Sequence, residues 1–242
     1  MTARVLVTRP ANQARPLIAA LTAAGFATEV VPAIAILPLA TSAEVSVALT
    51  TLRTAHADPW VALTSANAVW ILLDYVDPGD LDGLRIAAVG QATAAALRDA
   101  GVSVDIVPNE ESAGALAAAM VDLGVTGATV WLPQAQRARP LLAASLSAAG
   151  ADVLVTPLYR SVAPPNLAKG LRAALQRGVD AVVVHSGSAV VNLLAAAAVP
   201  SVPLVCIGAQ TAEEITRAGR VAVVASSTRP DDVVAAVRHA LR

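Results

Sequence analysis

Short apolar runs alternate along the chain with longer stretches in which apolar and polar residues recur at helical spacing. Most of the runs are continuously apolar, which is typical of strands buried on both faces of a parallel sheet. Glycines 25, 101, 150 and 219 mark expected helix ends. The alternation predicts an α/β protein with two parallel sheets of five strands each. The expected strands are Arg4–Thr8, Thr28–Val31, Trp60–Thr64, Arg85–Val89, Val104–Val107, Thr129–Leu132, Asp152–Thr156, Asp180–Val184, Leu204–Ile207 and Val221–Val224.

The chain also repeats itself. Residues from Val5 to Leu17 are echoed from Val130 to Leu141, and each copy continues through a helix-like stretch to an Ala-Ala-Gly. Two further echoes follow in the same relative positions, Val61–Ser65 with Val182–Ser186 and Ile86–Thr93 with Leu204–Thr211. Three matched segments at nearly constant separation indicate an internal duplication.

Two proline-marked segments interrupt the alternation at equivalent points of the repeat, Pro32–Pro38 and Pro157–Pro165. They leave two domain divisions open. The boundary could lie between the copies, near Gly124–Gly127. The chain could instead cross between domains at the two proline segments, which would pair residues 1–35 with 161–242. Each division gives five strands per domain.

Composition narrows the function classes. The chain has 17 basic and 18 acidic residues and 2% aromatics, which argues against a nucleic-acid partner. Mean hydropathy is +0.63, yet no apolar stretch approaches the ~20 residues of a membrane span. The first residues lack the apolar core of a signal peptide, and the single cysteine, Cys206, excludes an internal disulfide. We expect a soluble, cytoplasmic protein.

Polar residues gather directly after the predicted strands, where helix N-termini would present free N–H groups. Each such residue could simply cap its helix. Six loops of this kind, distributed over both copies, favour a cleft that binds a ligand with several anionic groups. They are Thr8-Arg9-Pro10, Thr64–Asn67, Gly90–Thr93, Pro133–Arg137, His185–Ser188 and Gly208–Thr211.

Common catalytic motifs are missing from the sequence. It has no phosphate-binding loop, no dinucleotide fingerprint and no histidine pair at metal-ligand spacing. His56 and His239 are expected on the surface and Cys206 in the core, while a role for His185 stays open. Glu110 and Glu111 are interpreted as the start of a helix, where carboxylates complement the dipole.

Tyr159 lies in the second proline-marked segment, in Pro157-Leu158-Tyr159-Arg160. A tyrosine that faces a cleft can donate its hydroxyl proton. The alternative interpretation is a rigid residue that bridges two domains. The other tyrosine, Tyr75, is expected to pack within a helix.

At these motifs the sequence resembles the uroporphyrinogen-III synthase family over nearly its whole length. The resemblance is carried by Val5–Pro10 with Gly25 and Pro32, Thr64–Val69, Ala88–Thr93, Gly150–Val153 with Tyr159-Arg160, and Ile207–Ala212. It implies two flavodoxin-like parallel-sheet domains joined by a two-stranded linker. The implied domains are 1–35 with 161–242, and 39–157, with linker residues 36–38 and 158–160.

The resemblance also implies a reaction and a site in the cleft between the domains. The family cyclises hydroxymethylbilane, a linear tetrapyrrole with eight carboxylates, to uroporphyrinogen III with inversion of the last ring and loss of water. It uses no metal and no organic cofactor. Tyr159 matches the tyrosine expected to assist departure of the hydroxyl. The implied substrate-binding residues are Arg9, Ser65, Asn67, Gln91, Thr93, Arg137, Ser186, Ser188, Gln210 and Thr211.

Two other interpretations remain. The first is a catalytically inactive tetrapyrrole- or anion-binding regulatory protein of the same fold. The second, a nucleotide-dependent glycosyltransferase-like enzyme, lacks a diphosphate motif. The expected partner is the small-molecule substrate, with no nucleic acid and no membrane. We expect a monomer and leave open a transient contact with hydroxymethylbilane synthase.

Overall fold

The computed structural model describes residues 2–55, 57–196 and 201–242, so His56 lies outside the described part of the chain. The chain divides into two compact units. The first comprises Met1–Ala35 and Ser161–Arg242, and the second comprises Ile36–Arg160.

The described residues form ten strands and ten α-helices, with one additional 3-10 turn at Pro78–Leu81. The strands are β1 (Arg4–Val7), β2 (Ala27–Val30), β3 (Ala35–Pro38), β4 (Trp60–Leu63), β5 (Arg85–Ala88), β6 (Thr129–Ala135), β7 (Asp152–Val162), β8 (Ala181–Val184), β9 (Leu204–Cys206) and β10 (Ala222–Val224). The helices are α1 (Ala11–Ala23), α2 (Ser42–Arg53), α3 (Ala66–Leu73), α4 (Gln91–Asp99), α5 (Ala113–Asp122), α6 (Leu141–Ala148), α7 (Leu167–Gln176), α8 (Gly187–Ala196), α9 (Ala209–Arg217) and α10 (Pro230–Ala240).

The first unit holds a parallel sheet in the order β10-β9-β8-β1-β2. Renumbered within the unit and followed from the β2 edge, this is the 2-1-3-4-5 order of flavodoxin-like sheets. Neighbouring residues of one strand enter different cores: Leu6 packs in one hydrophobic cluster, and Val5 and Val7 pack in another. The strands are therefore buried on both faces, as their continuous apolar runs predict.

The second unit holds a sheet in the order β3-β7-β6-β4-β5. Its pairing register reproduces the first sheet: Trp131 lies opposite Val61 as Leu6 lies opposite Val182. These are the residues that the sequence repeat matches. The duplication is therefore present in the strand register as well as in the sequence.

The predicted strand at 104–107 is wrong. Only an isolated parallel bridge joins Ile106 to Ala87 of β5. The Asp105 carboxylate accepts the backbone N–H of Ile86 at 2.6 Å, while the Ile86 carbonyl accepts the N–H of Asp105. A side chain thus takes the place of a ladder partner at the edge of β5 and shortens the pairing.

A strand also forms where the pattern of apolar runs shows none. The proline-marked segment at 32–38 contains β3, which neighbours the extended end of β7 in the second sheet. Backbone N–H groups of Leu39 and Ala40 donate to the carbonyl of Leu158. Proline is compatible with this position because an edge strand has one side without ladder hydrogen bonds.

The expected helix ends are confirmed. Gly25, directly after α1, has φ of +88°, a left-handed conformation that favours glycine. Its N–H donates to the carbonyl of Thr22, and that of Phe26 donates to Leu21. The other predicted ends, Gly101, Gly150 and Gly219, share this conformation.

Candidate active site

The best-defined polar cluster of the second unit begins where β4 ends. Ser65 is the N-cap of α3, and its Oγ accepts the backbone N–H of Ala68 at 3.1 Å. Such a cap satisfies one of the helix's free N–H groups. The cap also fixes the Ser65 hydroxyl at the carboxyl end of the sheet, with Asn67 in the first turn of α3.

Tyr159 reaches this place from β7. Along the β6–β7 ladder Gln134 lies opposite Pro157 and Ala135 lies opposite Tyr159, so Leu158 is the extra residue of a β-bulge. The bulge breaks the alternation of the strand, and Leu158 and Tyr159 are both buried although they are neighbours. The carbonyl of Tyr159 accepts the N–H of Gln136 at 2.7 Å.

The phenol of Tyr159 closes the cluster. Its oxygen lies 2.9 Å from Ser65 Oγ, and it also hydrogen-bonds the side chain of Asn67. Tyr159 is 5% exposed. Burial raises the pKa of this phenol above its ordinary value, and the two hydrogen bonds lower the pKa in part. The phenol is therefore protonated at neutral pH and has a proton to give.

Gln91 and Thr93 lie in the first turn of α4, Gln91 exposed and Thr93 buried. The backbone N–H of Gln91 donates to Glu111 Oε1 at 2.8 Å. The interpretation of Glu110 and Glu111 as a helix start is wrong, because α5 begins at Ala113 with Ser112 as its N-cap. Glu111 instead places its carboxylate at the N-terminus of α4, where the helix dipole favours a negative charge.

Arg137 is exposed after β6. The loop predicted at 133–137 is shorter than expected, because β6 continues through Pro133 and Gln134 to Ala135. The partner strand β7 pairs with β6 along this extension, through the bulge, to the pair of Ala135 and Tyr159. Arg137 consequently lies two residues past the strand end.

In the first unit, the equivalent loop follows β8. Ser186 Oγ accepts the N–H of Ala189 at 3.2 Å, which repeats the cap made by Ser65. Ser188, the counterpart of Asn67, is exposed. The second Gly-x-x-Thr motif repeats its partner too, with Gln210 exposed and Thr211 buried in the first turn of α9.

Arg9 and His185 give this unit a different chemistry. They follow the adjacent strands β1 and β8, and Arg9 is half-buried with its Nε donating to Gln13 Oε1 at 3.3 Å. Burial lowers the pKa of His185 to about 4, and the charge of Arg9 adds to this effect. The imidazole is therefore neutral at physiological pH. Its buried Nδ1 has no hydrogen-bond partner within the described part of the chain.

The structure thus joins Ser65, Asn67 and Tyr159 directly, and places Arg9 beside His185. Sequence reasoning missed the hydrogen bond between the Gln91 backbone N–H and the Glu111 carboxylate, for which no local pattern gives a signal.

The remaining predictions concern single residues and metal or membrane binding. Cys206 is buried and His239 is exposed, as expected. In residues 2–55, 57–196 and 201–242, no group of three His, Cys, Asp or Glu side chains could hold a metal ion. None of the helices described there is long and apolar enough to cross a membrane.

Comparison with known proteins places these features in a family. A family model described as Uroporphyrinogen-III synthase HemD matches residues 15–235. A curated protein of Methanothermobacter thermautotrophicus, named Putative uroporphyrinogen-III synthase, is 31% identical over 164 residues, 63% of this chain and 65% of that protein. Porphyrin biosynthesis protein HemD of Ruminiclostridium josui is 25% identical over 96% of this chain and 47% of its own length. The chain thus spans less than two thirds of these two relatives.

Two solved structures show the same fold. A mutant uroporphyrinogen III synthase of Thermus thermophilus has a TM-score of 0.66 at 22% identity and covers 99% of both chains. The uroporphyrinogen-III synthetase of Helicobacter pylori has a TM-score of 0.69 at 17% identity, with both chains fully covered. The names of these relatives give no support to the regulatory alternative. With a family model matching more than nine tenths of its length, the chain belongs to the uroporphyrinogen-III synthase family.

Proposed function

We propose that this protein cyclises hydroxymethylbilane to uroporphyrinogen III with loss of water. The observation that carries the proposal is the protonated phenol of Tyr159, held by Ser65 and Asn67 at the carboxyl end of a parallel sheet. Ligands of open α/β sheets bind at this end. Departure of a hydroxyl needs a proton donor, and Tyr159 is suited to that role.

The proposal also covers where the substrate lies. We take the discontinuous domain 1–35 with 161–242 and the domain 39–157 to provide one face each of an interdomain cleft, with 36–38 and 158–160 as linker. A substrate with eight carboxylates needs many donors, and both units carry such donors after their strands. Thr93 and Thr211 lie in the first turns of equivalent helices. Further polar groups come from Gln91, Gln210, Ser186, Ser188, Arg9 and Arg137.

In the proposed sequence of steps, Tyr159 protonates the departing hydroxyl, which leaves as water with the electrons of its bond to carbon. The substrate becomes a cation, and the substituted carbon of its last ring attacks the cationic methylene to form a spiro intermediate. The older bond from that carbon to its neighbouring methylene then breaks, and the free carbon of the last ring bonds this methylene and loses its proton, which leaves the ring inverted. The site must hold the substrate so that this attack is faster than ring closure without inversion, which gives isomer I. Geometry of this kind is a large source of rate and selectivity.

The proposal extends to the protein's working form. We propose that it acts as a cytoplasmic monomer without a metal or organic cofactor, as its resemblance to the family implies. A transient contact with the enzyme that makes the bilane would shorten the life of this reactive substrate in free solution. Proton transfer and charge stabilisation by side chains supply the chemistry.

A coupled assay tests the activity. Hydroxymethylbilane synthase and porphobilinogen generate the substrate in place, and the products are oxidised and separated as isomers I and III. We expect isomer III to predominate only when this protein is present. Isomer I alone, formed in the presence of folded protein, would contradict the proposal.

A further inference from the structure

The partners of Tyr159 suggest how its proton is controlled, an inference that rests on the proposed function and deepens it. Ser65 and Asn67 were expected to bind substrate carboxylates. Both instead hydrogen-bond the phenol oxygen of Tyr159, Ser65 at 2.9 Å. Because they hydrogen-bond the phenol oxygen, Ser65 and Asn67 can influence the reaction through the acidity of Tyr159.

The inventory of donors and acceptors favours one arrangement. Ser65 Oγ already accepts the N–H of Ala68, so its own hydroxyl proton is available to Tyr159. The Asn67 amide offers N–H groups as well, and a phenol oxygen can accept two hydrogen bonds. If both neighbours donate, the proton of Tyr159 points away from them and is left for the substrate.

We propose that Ser65 and Asn67 both donate to the phenol oxygen of Tyr159 and stabilise the phenolate that remains after Tyr159 has given up its proton. The O–H bond of Tyr159 breaks as a new O–H bond forms on the departing hydroxyl, which leaves as water. The phenolate retains the electron pair of the broken bond. It takes up the proton that the substrate loses on ring closure, which restores the starting enzyme.

The opposite half of the duplication separates this role from helix capping. Ser186 caps α8 as Ser65 caps α3, and the residue two positions later there is the exposed Ser188. A serine alone therefore starts the helix. Asn67 is not needed for the cap, and its hydrogen bond to Tyr159 is the feature by which the second unit differs.

The hydrogen bonds from Ser65 and Asn67 matter because Tyr159 is buried. Tyr159 is almost fully enclosed, and a phenolate in such a place is costly unless hydrogen bonds satisfy it. Hydrogen bonds to a charged group are roughly twice as strong as those between neutral groups. Ser65 and Asn67 therefore make the buried proton easier to release without exposing the phenol to water.

The test measures the acidity of Tyr159 directly, without turnover. The protein is produced with 3,5-difluorotyrosine, whose more acidic phenol titrates before the fold is lost, and each tyrosine is followed by fluorine NMR. Tyr75→Phe identifies the Tyr159 signal. We expect Asn67→Ala and Ser65→Ala each to raise the pKa of Tyr159 by about one unit. Asn67→Ser, which copies Ser188, should give a smaller rise.

Ser112→Ala is the matched control, because Ser112 caps α5 in the same unit and accepts the N–H of Ala115 at 3.1 Å. It should leave the Tyr159 titration unchanged. An unchanged titration in both Asn67→Ala and Ser65→Ala, with folding verified by thermal unfolding, would overturn the inference. A raised pKa in a protein that makes no isomer III would retain the hydrogen-bond arrangement and reject the proposed function.

Kinetics add a second readout. Asn67→Ala should lower kcat about tenfold and leave KM nearly unchanged, because the lost interaction strengthens only as the proton leaves. A raised KM with unchanged kcat would mean that Asn67 binds a substrate carboxylate, and would overturn the positioning role.

Discussion

The two halves of the duplication share their strand registers and serine helix caps but carry different functional side chains. In the second unit the side chains of Ser65 and Asn67 hydrogen-bond the phenol oxygen of Tyr159. In the first unit the equivalent positions are Ser186 and Ser188, and Arg9 lies beside the neutral His185. The serine caps and strand registers are retained because they build the sheet. The residues around them have diverged, and in the proposed function proton transfer belongs to one half and anion binding to the other.

Removing the Tyr159 hydroxyl tests the comparison most severely. Tyr159→Phe should lower kcat for isomer III about 100-fold, because general acid catalysis contributes at least this much. Tyr75→Phe is the control, since Tyr75 donates to the carbonyl of Ala40 at 2.7 Å and serves the fold. The measurement is the initial rate in the coupled assay. Wild-type turnover in Tyr159→Phe would reject the general-acid role.

His185 gives the first unit a distinctive response to acid. Its pKa of about 4 in the folded protein lies below the ordinary value of 6.5, so the unfolded state binds more protons between these values. This contribution to stability is complete above pH 6.5 and is lost as the pH falls towards 4. Its size is about 3 kcal/mol.

The matched variant is His185→Thr, which copies Thr64 of the other half. Denaturant unfolding at pH 7 and pH 4.5 should show a smaller acid loss for the variant than for the wild type. Equal losses in the two proteins would mean that His185 does not titrate as its burial implies. Carboxylates with lowered pKa, such as Glu29 and Asp80, affect both proteins alike and cancel in the difference.

Arg9 should matter for binding rather than for chemistry. Arg9→Ala is expected to raise KM about tenfold with little change in kcat, because a lost partner for a substrate carboxylate costs about 1.4 kcal/mol. Arg137→Ala, which removes an exposed arginine of the other half, is expected to have a smaller effect. Steady-state kinetics with varied bilane separate the two parameters. A lower kcat with unchanged KM would contradict a role of Arg9 in substrate binding.

The smallest expected effect contrasts two equivalent glycines that precede α4 and α9. A Cβ on Gly90 would lie 2.5 Å from Glu111 Cδ and displace this carboxylate, whereas a Cβ on Gly208 would meet nothing within 4 Å. Both residues have extended backbones that alanine can adopt. Gly90→Ala should therefore be about 1 kcal/mol less stable than Gly208→Ala. Thermal unfolding measures the difference, which should vanish in a Glu111→Ala background.

The sequence predicts the positions of the strands better than it predicts the contacts of the candidate active site. Continuous apolar runs place most strands within one or two residues, because burial on two faces leaves a local signature. The run at 104–107 has the same signature, yet Asp105 replaces a ladder partner there and only one bridge forms. Local pattern does not contain the hydrogen bond that decides this edge.

Tyr159 stands out in the sequence by resemblance and by its unusual segment, but its partners do not. Ser65 and Tyr159 are 94 residues apart, and a bulge at Leu158 is needed to bury the phenol. No periodicity reports a bulge or the meeting of side chains across a sheet. The hydrogen bonds that Ser65 and Asn67 make to Tyr159 therefore emerge only in three dimensions.

The division of labour between the halves is tested most directly by measuring kcat and KM for isomer III formation in the wild type, Tyr159→Phe and Arg9→Ala. The account predicts that Tyr159→Phe loses kcat with KM retained and that Arg9→Ala raises KM with kcat retained. If both substitutions changed the same parameter, or if neither changed the rate, the assignment of acid chemistry to one half and anion binding to the other would be contradicted.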